Sequence, residues 1–287
     1  MASVANDFAI WKGLNVEIVH IPYKYRYKLW IETFWNPDLV YAVFSEYWHY
    51  SIYIGLIYIF VIRALEKVME NRKAFELKNA LFLWNTSLAL FSIIGAWRSG
   101  EEFLYVVMNR PLTHTVCYSM NPTQPVSFWA CAFALSKVAE LFDTVFLVLR
   151  KRKVIFLHWY HHVVVLVYSW NSAIELTAAG RWFVVMNYSV HSIMYSYYAI
   201  SCLNIRFPKV VAMTVTILQT MQMLIGVSIS CLVYYLRSNN LMKRCQQSYE
   251  NLILCFTIYI SFALLFMKFF IQSYFGRKRK LSKEKAE

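Results

Sequence analysis

Residues 154–173 read VIFLHWYHHVVVLVYSWNSA and follow directly on the basic run Arg150, Lys151, Arg152, Lys153. A stretch of about 20 residues without Asp, Glu, Lys or Arg is what an α-helix needs to cross the hydrocarbon core of a bilayer. A cationic flank marks the cytosolic end of such a helix. His158, His161 and His162 follow i, i+3, i+4 spacing, so three imidazoles share roughly a 100° arc of one helix face. This stretch therefore makes a fold assignment and a chemical one together.

Working outward, six further apolar stretches of similar length occupy residues 42–62, 80–97, 126–149, 182–203, 210–236 and 252–274. The fifth span, 182–203, is the least hydrophobic. Pro208 precedes the sixth, at a position where a helix start tolerates proline. The chain is 59% hydrophobic with mean hydropathy +0.41, above the roughly 45–50% apolar content of soluble domains. Its 21 Tyr and 10 Trp suit two membrane interfaces. The expected fold is all-α: a polytopic membrane protein of seven transmembrane helices, one domain over 41–276. A lumenal N-terminal segment (1–40) precedes it and a basic cytosolic tail (277–287) follows. The first 40 residues lack the apolar run of a signal peptide.

The net charge of +13 belongs to loops, and no basic face of a soluble domain exists to bind nucleic acid. Arg63, Lys67, Arg72, Lys73 and Lys78 follow the first span, Arg150 to Lys153 the third, and Arg206 and Lys209 the fifth. The tail adds Arg277, Lys278, Arg279, Lys280, Lys283 and Lys285. These outnumber the cations of the other side, which predicts a lumenal N-terminus and a cytosolic C-terminus. Cys131, Cys202, Cys231 and Cys255 fall inside spans, as small core residues. Cys117 and Cys245 fall in loops on the predicted lumenal side, where an oxidising compartment allows a disulfide between them. The sequons at Asn85 and Asn187 lie inside spans, out of reach of glycosylation.

A charge at the centre of a spanning helix costs about 2.5–3.5 kcal/mol on insertion scales, so polar residues there mark interior or functional positions. Four clusters qualify. KVAELFDT (137–144) places Lys137, Glu140 and Thr144 on one face, with Asp143 at its edge; a structural ion pair is the competing reading. HWYHH (158–162) is the histidine face. NYSVHSIMYSYY (187–198) aligns Asn187, His191, Met194, Tyr195 and Tyr198 at i, i+4, i+7, i+8, i+11, a polar-aromatic stripe that fits a lined cavity. TILQTMQ (216–222) adds Thr216, Gln219 and Gln222, which alone would serve equally as interhelical hydrogen-bond glue. His20, His49 and His114 lie toward the predicted lumenal side, leaving four usable imidazoles. Membrane di-iron oxidases spread more histidines over several boxes than the seven of this chain. A single zinc on three of the four imidazoles is a second reading. Without metal, the imidazoles serve as nucleophile, base or oxyanion partner.

The order KVAELFDT, HWYHH, HSIMYSYY, TILQTMQ resembles the very-long-chain fatty-acid elongase family over residues 75–280. The form HWYHH, with FLWNTSLALFSIIGAWR at 82–98, is similar to the branch handling saturated and monounsaturated acyl chains. The resemblance implies condensation of long-chain acyl-CoA with malonyl-CoA to 3-ketoacyl-CoA, CO2 and CoA, with no metal or redox cofactor. It implies a six-helix barrel of spans two to seven around an acyl tunnel, open to the cytosol and closed at the lumenal end, with span one outside. It also implies residence in the endoplasmic reticulum, for which Lys283-x-Lys285-x-x fits a dilysine retrieval signal. Expected associates are the reductases and dehydratase of the cycle and a homo-oligomer.

On this basis His161 is the expected nucleophile, with His158, His162 and His191 polarising carbonyls or moving protons. Asn187 would orient an imidazole, and Lys137, Glu140 and Asp143 would support the centre with Gln219 and Gln222. Lys151, Arg152, Lys153 and Lys209 would meet the CoA phosphates. Met194, Tyr195 and Tyr198 would line the tunnel. A histidine-box metal-dependent desaturase or hydroxylase, and a seven-span receptor or transporter, are the readings from other classes.

Overall fold

The structure, a computed structural model, describes residues 8–13, 16–242 and 244–275. Lys243 and the basic tail with Lys283 and Lys285 lie outside the described residues. The described chain is mostly helical. Its helices are α1 Pro37–Tyr47, α2 Tyr50–Met69, α3 Lys78–Asn109, α4 Leu112–Cys117, α5 Pro125–Glu140, α6 Phe142–Leu149, α7 Phe156–Glu175, α8 Gly180–Cys202, α9 Lys209–Ser238 and α10 Tyr249–Tyr274. Three of them, α3, α9 and α10, are long and apolar enough by length and composition alone to cross a membrane.

Helix starts follow from local chemistry. Asn36 accepts from the Leu39 N–H with Pro37 in the first position of α1; Ser248 does the same for Asn251 in α10. Proline opens α5 at Pro125 and precedes α9 at Pro208. Helix α7 stops at Leu176, held in a left-handed turn with φ 45° by Ser119, whose hydroxyl donates to the Leu176 carbonyl.

Two of the expected spans are broken. The stretch 42–62 divides at Trp48–His49, where Ser51 and Ile52 bond to carbonyls three residues back rather than four. The Ser51 hydroxyl also donates to the Trp48 carbonyl. At 20 residues, α2 already spans about 30 Å, so α1 is surplus to a crossing and turns aside. The stretch 126–149 divides at Leu141, again through i→i+3 bonds at Leu141 and Thr144. Helix α3 runs 32 residues, past the expected end at 97, because the charges of its last turns find internal partners.

The helices pack as pairs of neighbours: α3 against α8, α8 against α9, α9 against α10, α10 against α7, α7 against α5, and α5 against α3. Helix α2 lies against α6 and α7, and α1 against α7. Two glycines permit the closest approaches. A Cβ at Gly95 would strike the Tyr188 ring between α3 and α8, and one at Gly226 would strike Tyr259 between α9 and α10.

One end of the assembly is locked by buried charge. Arg181 and Glu102 are fully buried, and every N–H of the guanidinium has an acceptor. Nε donates to the Glu102 carboxylate, Nη1 to the carbonyls of Thr115 and Tyr118, and Nη2 to Glu102 and the Ser119 carbonyl. Arg98 is built likewise, on Glu32, Glu101 and the Tyr27 carbonyl. Burial pushes the Glu32 carboxyl up, but Arg98 and the Trp129 indole N–H outweigh it and hold Glu32 below the usual carboxylate range. An antiparallel hairpin, β1 Ala9–Lys12 with β2 Glu17–His20, covers this end and bridges to Ser119. Cys117 and Cys245 form a disulfide beside it, joining the last residue of α4, where the sequence reading expected a loop, to the loop that follows α9.

Removing one member of the Arg181–Glu102 pair strands a buried charge, which costs about 3–5 kcal/mol. Arg181→Met should therefore lower the melting temperature in detergent sharply, and Arg181→Met with Glu102→Met should regain much of the loss. Equal melting of the single and double variants would show that the pairing contributes nothing.

Candidate active site

The KVAELFDT cluster ends α5 and starts α6, so its charges face the same interior that α8 lines. Lys137 Nζ donates to Glu140 Oε1 at 2.7 Å and to Asn187 Oδ1 at 3.0 Å. It also sits 4.2 Å from the centre of the Phe133 ring. Asn187 Nδ2 lies 3.3 Å from His191 Nε2, and His191 Nδ1 lies 3.8 Å from Glu140 Oε2. The four side chains close a loop: Lys137, Asn187, His191, Glu140. With its proton on Nδ1, facing Glu140, the His191 ring accepts from Asn187. Lys137, Glu140, Asn187 and His191 are all buried. Asp143 stands one turn further, accepting from Trp84 Nε1 at 2.6 Å and from the Tyr195 hydroxyl at 2.7 Å.

The histidine face of α7 looks into the same region. His158 and His162 rings are 4.6 Å apart and His161 and His162 rings 5.6 Å apart. The two ends of the face are held differently. His158 Nε2 is 2.9 Å from Thr144 Oγ1, which is 2.7 Å from the Tyr58 hydroxyl on α2. That chain sets the His158 ring from outside the packed ring of helices. Among the described residues His161 and His162 have no hydrogen-bond partner; His161 packs at a tilt against Phe262 and edge-on to Phe266 of α10. No three His, Cys, Asp or Glu side chains among the described residues converge as metal ligands.

His161, Asn187 and Gln222 form the polar end of a cavity enclosing about 1110 Å³ of non-atom space, its open mouth included. From there it runs along α7 past Val165, Ser169 and Ala173 to Leu176. The rise from His161 to Leu176 is about 22 Å at 1.5 Å per residue. The wall is apolar for most of that length, with Phe133, Phe183, Met223, Ile258 and Phe262 contributing.

Other expected residues fall elsewhere. Met194, Tyr195 and Tyr198 lie outside the lining of this cavity. Met194 and Tyr195 are buried against Leu88, Ala89 and Val215, and Tyr198 is 41% exposed. The cavity leaves α8 at Asn187 and extends back toward its N-terminus, so Met194 and Tyr195 pack against α3 and α9 instead. Gln219 Nε2 donates to Met194 Sδ, while Gln222 alone of the pair reaches the cavity. Arg152, Lys153 and Lys209 are exposed, the first two just ahead of α7 and Lys209 at the start of α9. Lys151 is exposed too, but its ammonium already donates to the carbonyls of Glu70 and Arg72 at the end of α2.

Sequence reasoning assigned no role to Tyr58, Thr144 or the residues of α1. Thr144 shares the Lys137–Glu140 face, which was its signal. A tyrosine within an apolar span, such as Tyr58, carries none.

The GNS1/SUR4 (ELO) family model matches residues 43–283. The chain is 46% identical over 281 residues to putative fatty acid elongase 4 of Caenorhabditis elegans, covering 95% of this chain and 96% of that one. It is 43% identical over 241 residues to very long chain fatty acid elongase 6 of Rattus norvegicus, covering 83% and 90%. With very long chain fatty acid elongase 3 of Homo sapiens it shares 42% over 238 residues, covering 83% and 87%. A histidine face beside a Lys–Glu–Asn loop, at the head of an apolar cavity, is thus the centre of a chain that belongs to the ELO (GNS1/SUR4) family, among relatives named as fatty acid elongases.

Proposed function

We propose that the chain is the condensing enzyme of fatty-acid elongation, joining long-chain acyl-CoA to malonyl-CoA without metal or redox cofactor. The observation that carries this reading is His161: an imidazole with no hydrogen-bond partner among the described residues, at the polar head of a long apolar cavity. The cavity's ~22 Å along α7 exceeds the roughly 15 Å that one leaflet's chains occupy, a length suited to an extended acyl chain.

In this reading His161 attacks the thioester carbonyl carbon. The C–S bond breaks, the imidazole proton passes to the departing sulfur, and CoA leaves behind an acyl-imidazole. Malonyl-CoA then loses CO2, and the electron pair of that C–C bond becomes an enolate. The enolate carbon attacks the acyl carbonyl, the C–N bond to His161 breaks, and a proton delivered through His158 or His162 restores the neutral ring. Asn187 supports this by aiming its amide between Lys137 and His191 at the cavity wall, where charge develops on the carbonyl oxygen. Arg152, Lys153 and Lys209 meet the CoA phosphates, with Lys151 keeping one free N–H for them.

The same reading takes α2, α3, α5 with α6 together, α7, α8, α9 and α10 as the spans, giving seven. It takes the cyclic order of neighbours α3, α8, α9, α10, α7, α5 as the six-helix barrel. The histidine box lies in the first turns of α7 and the Cys117–Cys245 disulfide beyond its last. A reducing cytosol at the first end and an oxidising lumen at the second support an endoplasmic reticulum membrane location, N-terminus lumenal.

Three outcomes are expected of purified protein. His161→Ala abolishes CO2 release from malonyl-CoA while the melting temperature holds; retained turnover removes His161 as nucleophile. Acyl-CoA alone releases one equivalent of CoA and leaves an acyl adduct on the peptide bearing His161, read by mass spectrometry; absence of both favours an ordered mechanism with imidazole as base. Tyr58→Phe removes one hydrogen bond from the Thr144–His158 chain and lowers kcat roughly tenfold, less than the roughly 10²–10⁴-fold of a whole proton-transfer contribution because Thr144 still holds His158, with KM unchanged; a rise in KM with kcat unchanged would mean that Tyr58 acts on binding.

A further inference from the structure

We infer that α1 forms the distal wall of the acyl cavity and selects acyl chains by their methyl ends; this rests on the condensation reading above. Pro37, Val40, Tyr41 and Phe44 follow i, i+3, i+4, i+7 spacing, one face of a helix, and all four line the cavity. The opposite face looks outward: Leu39 is 61% exposed and Val43 46%. An amphipathic helix whose inner stripe borders a cavity and whose outer stripe faces lipid is a partition between the two.

The partition is rigid. Phe44 is buried and meets the Trp170 ring on α7 edge-on at 5.5 Å, and Trp170 Nε1 donates across to the Ala134 carbonyl of α5. Upstream, Trp35 also lines the cavity, and its Nε1 donates to the Pro122 carbonyl at 2.7 Å. Three residues earlier, Glu32 is clamped by Arg98 and Trp129. Downstream, the Trp48–His49 break joins α1 to α2. The stripe is therefore held at both ends, and its Phe44 meets α7 at Trp170, about 14 Å from His161 along that helix. A chain whose thioester is at His161 presents its last carbons to Val40, Tyr41 and Phe44. Rigid apolar walls discriminate one methylene by about 10–200-fold.

The test is an acyl-CoA panel of increasing chain length, with labelled malonyl-CoA, on wild type, Val40→Phe, Tyr41→Ala and the outer-face control Val43→Ala. Val40→Phe should lower kcat/KM for the longest accepted chain tenfold or more and leave shorter ones unchanged. Tyr41→Ala should move the optimum to longer chains, and Val43→Ala should match wild type. A second measurement needs no variant: an acyl-CoA with a photoreactive group at its methyl end should label the peptide 35–44. Active variants with unaltered chain profiles, or labelling confined to other peptides, would overturn the role of α1. A wild type that condenses no acyl-CoA overturns the condensation reading, and this inference with it.

Discussion

A charge taken out of water must find its whole complement of partners inside the chain, and this constraint organises the molecule. Arg181 meets it with every N–H committed to Glu102 or to the carbonyls of Thr115, Tyr118 and Ser119. Arg98 meets it on Glu32, Glu101 and Tyr27. A guanidinium is planar and its donors are fixed in direction, so each arginine sets the relative placement of segments distant in sequence: α3, α8 and the loop after α4 in one case, α3 and the segment before α1 in the other. Lys137 does the same at mid-bundle, joining α5 to α8 through Asn187. Helices tied by these pairs are kept from collapsing onto one another, and the cavity is the space so preserved.

Within that frame the histidines divide into two kinds. His158 and His191 are oriented by neighbours, through Thr144 and Tyr58 for one and Asn187 for the other. His161 and His162 lack such partners among the described residues. A fixed ring is suited to moving or holding a proton along a set direction; a ring without a partner keeps its lone pair for a ligand. The difference is one of surroundings, because all four are imidazoles on facing helices.

Which parts of this were legible depends on what each residue's neighbours in sequence reveal. The apolar runs exposed the helices, and the i, i+3, i+4 spacing exposed the histidine face, because both signals are local. The breaks at Trp48–His49 and Leu141 were hidden, since neither site contains proline or glycine to interrupt the apolar text. The apolar run stops at Trp97, short of the end of α3, because Arg98 and Glu102 are charged and the partners that bury them, Glu32 and Arg181, lie far off in sequence. The hairpin Ala9–Lys12 with Glu17–His20 is too short to stand alone and depends on its bridge to Ser119. The stripe Pro37, Val40, Tyr41, Phe44 was present in the text, but a span counted from residue 42 cuts it in half.

The two ends of the cavity are built from different material. At the histidine end, α5 and α8 are bound together by a closed loop of hydrogen bonds and a buried ion pair, where removing any member leaves a polar group without a partner. At the far end the wall is an eleven-residue helix packed by ring contacts and apolar side chains, where one size can replace another at modest cost. Chemistry that must stay constant is therefore placed on the part of the fold least tolerant of change. On the proposed reading, recognition of a featureless hydrocarbon, which offers nothing to bond and only a length to measure, is placed on the part that tolerates it. A polar network at the far end would gain nothing from an alkyl chain and would cost its own desolvation.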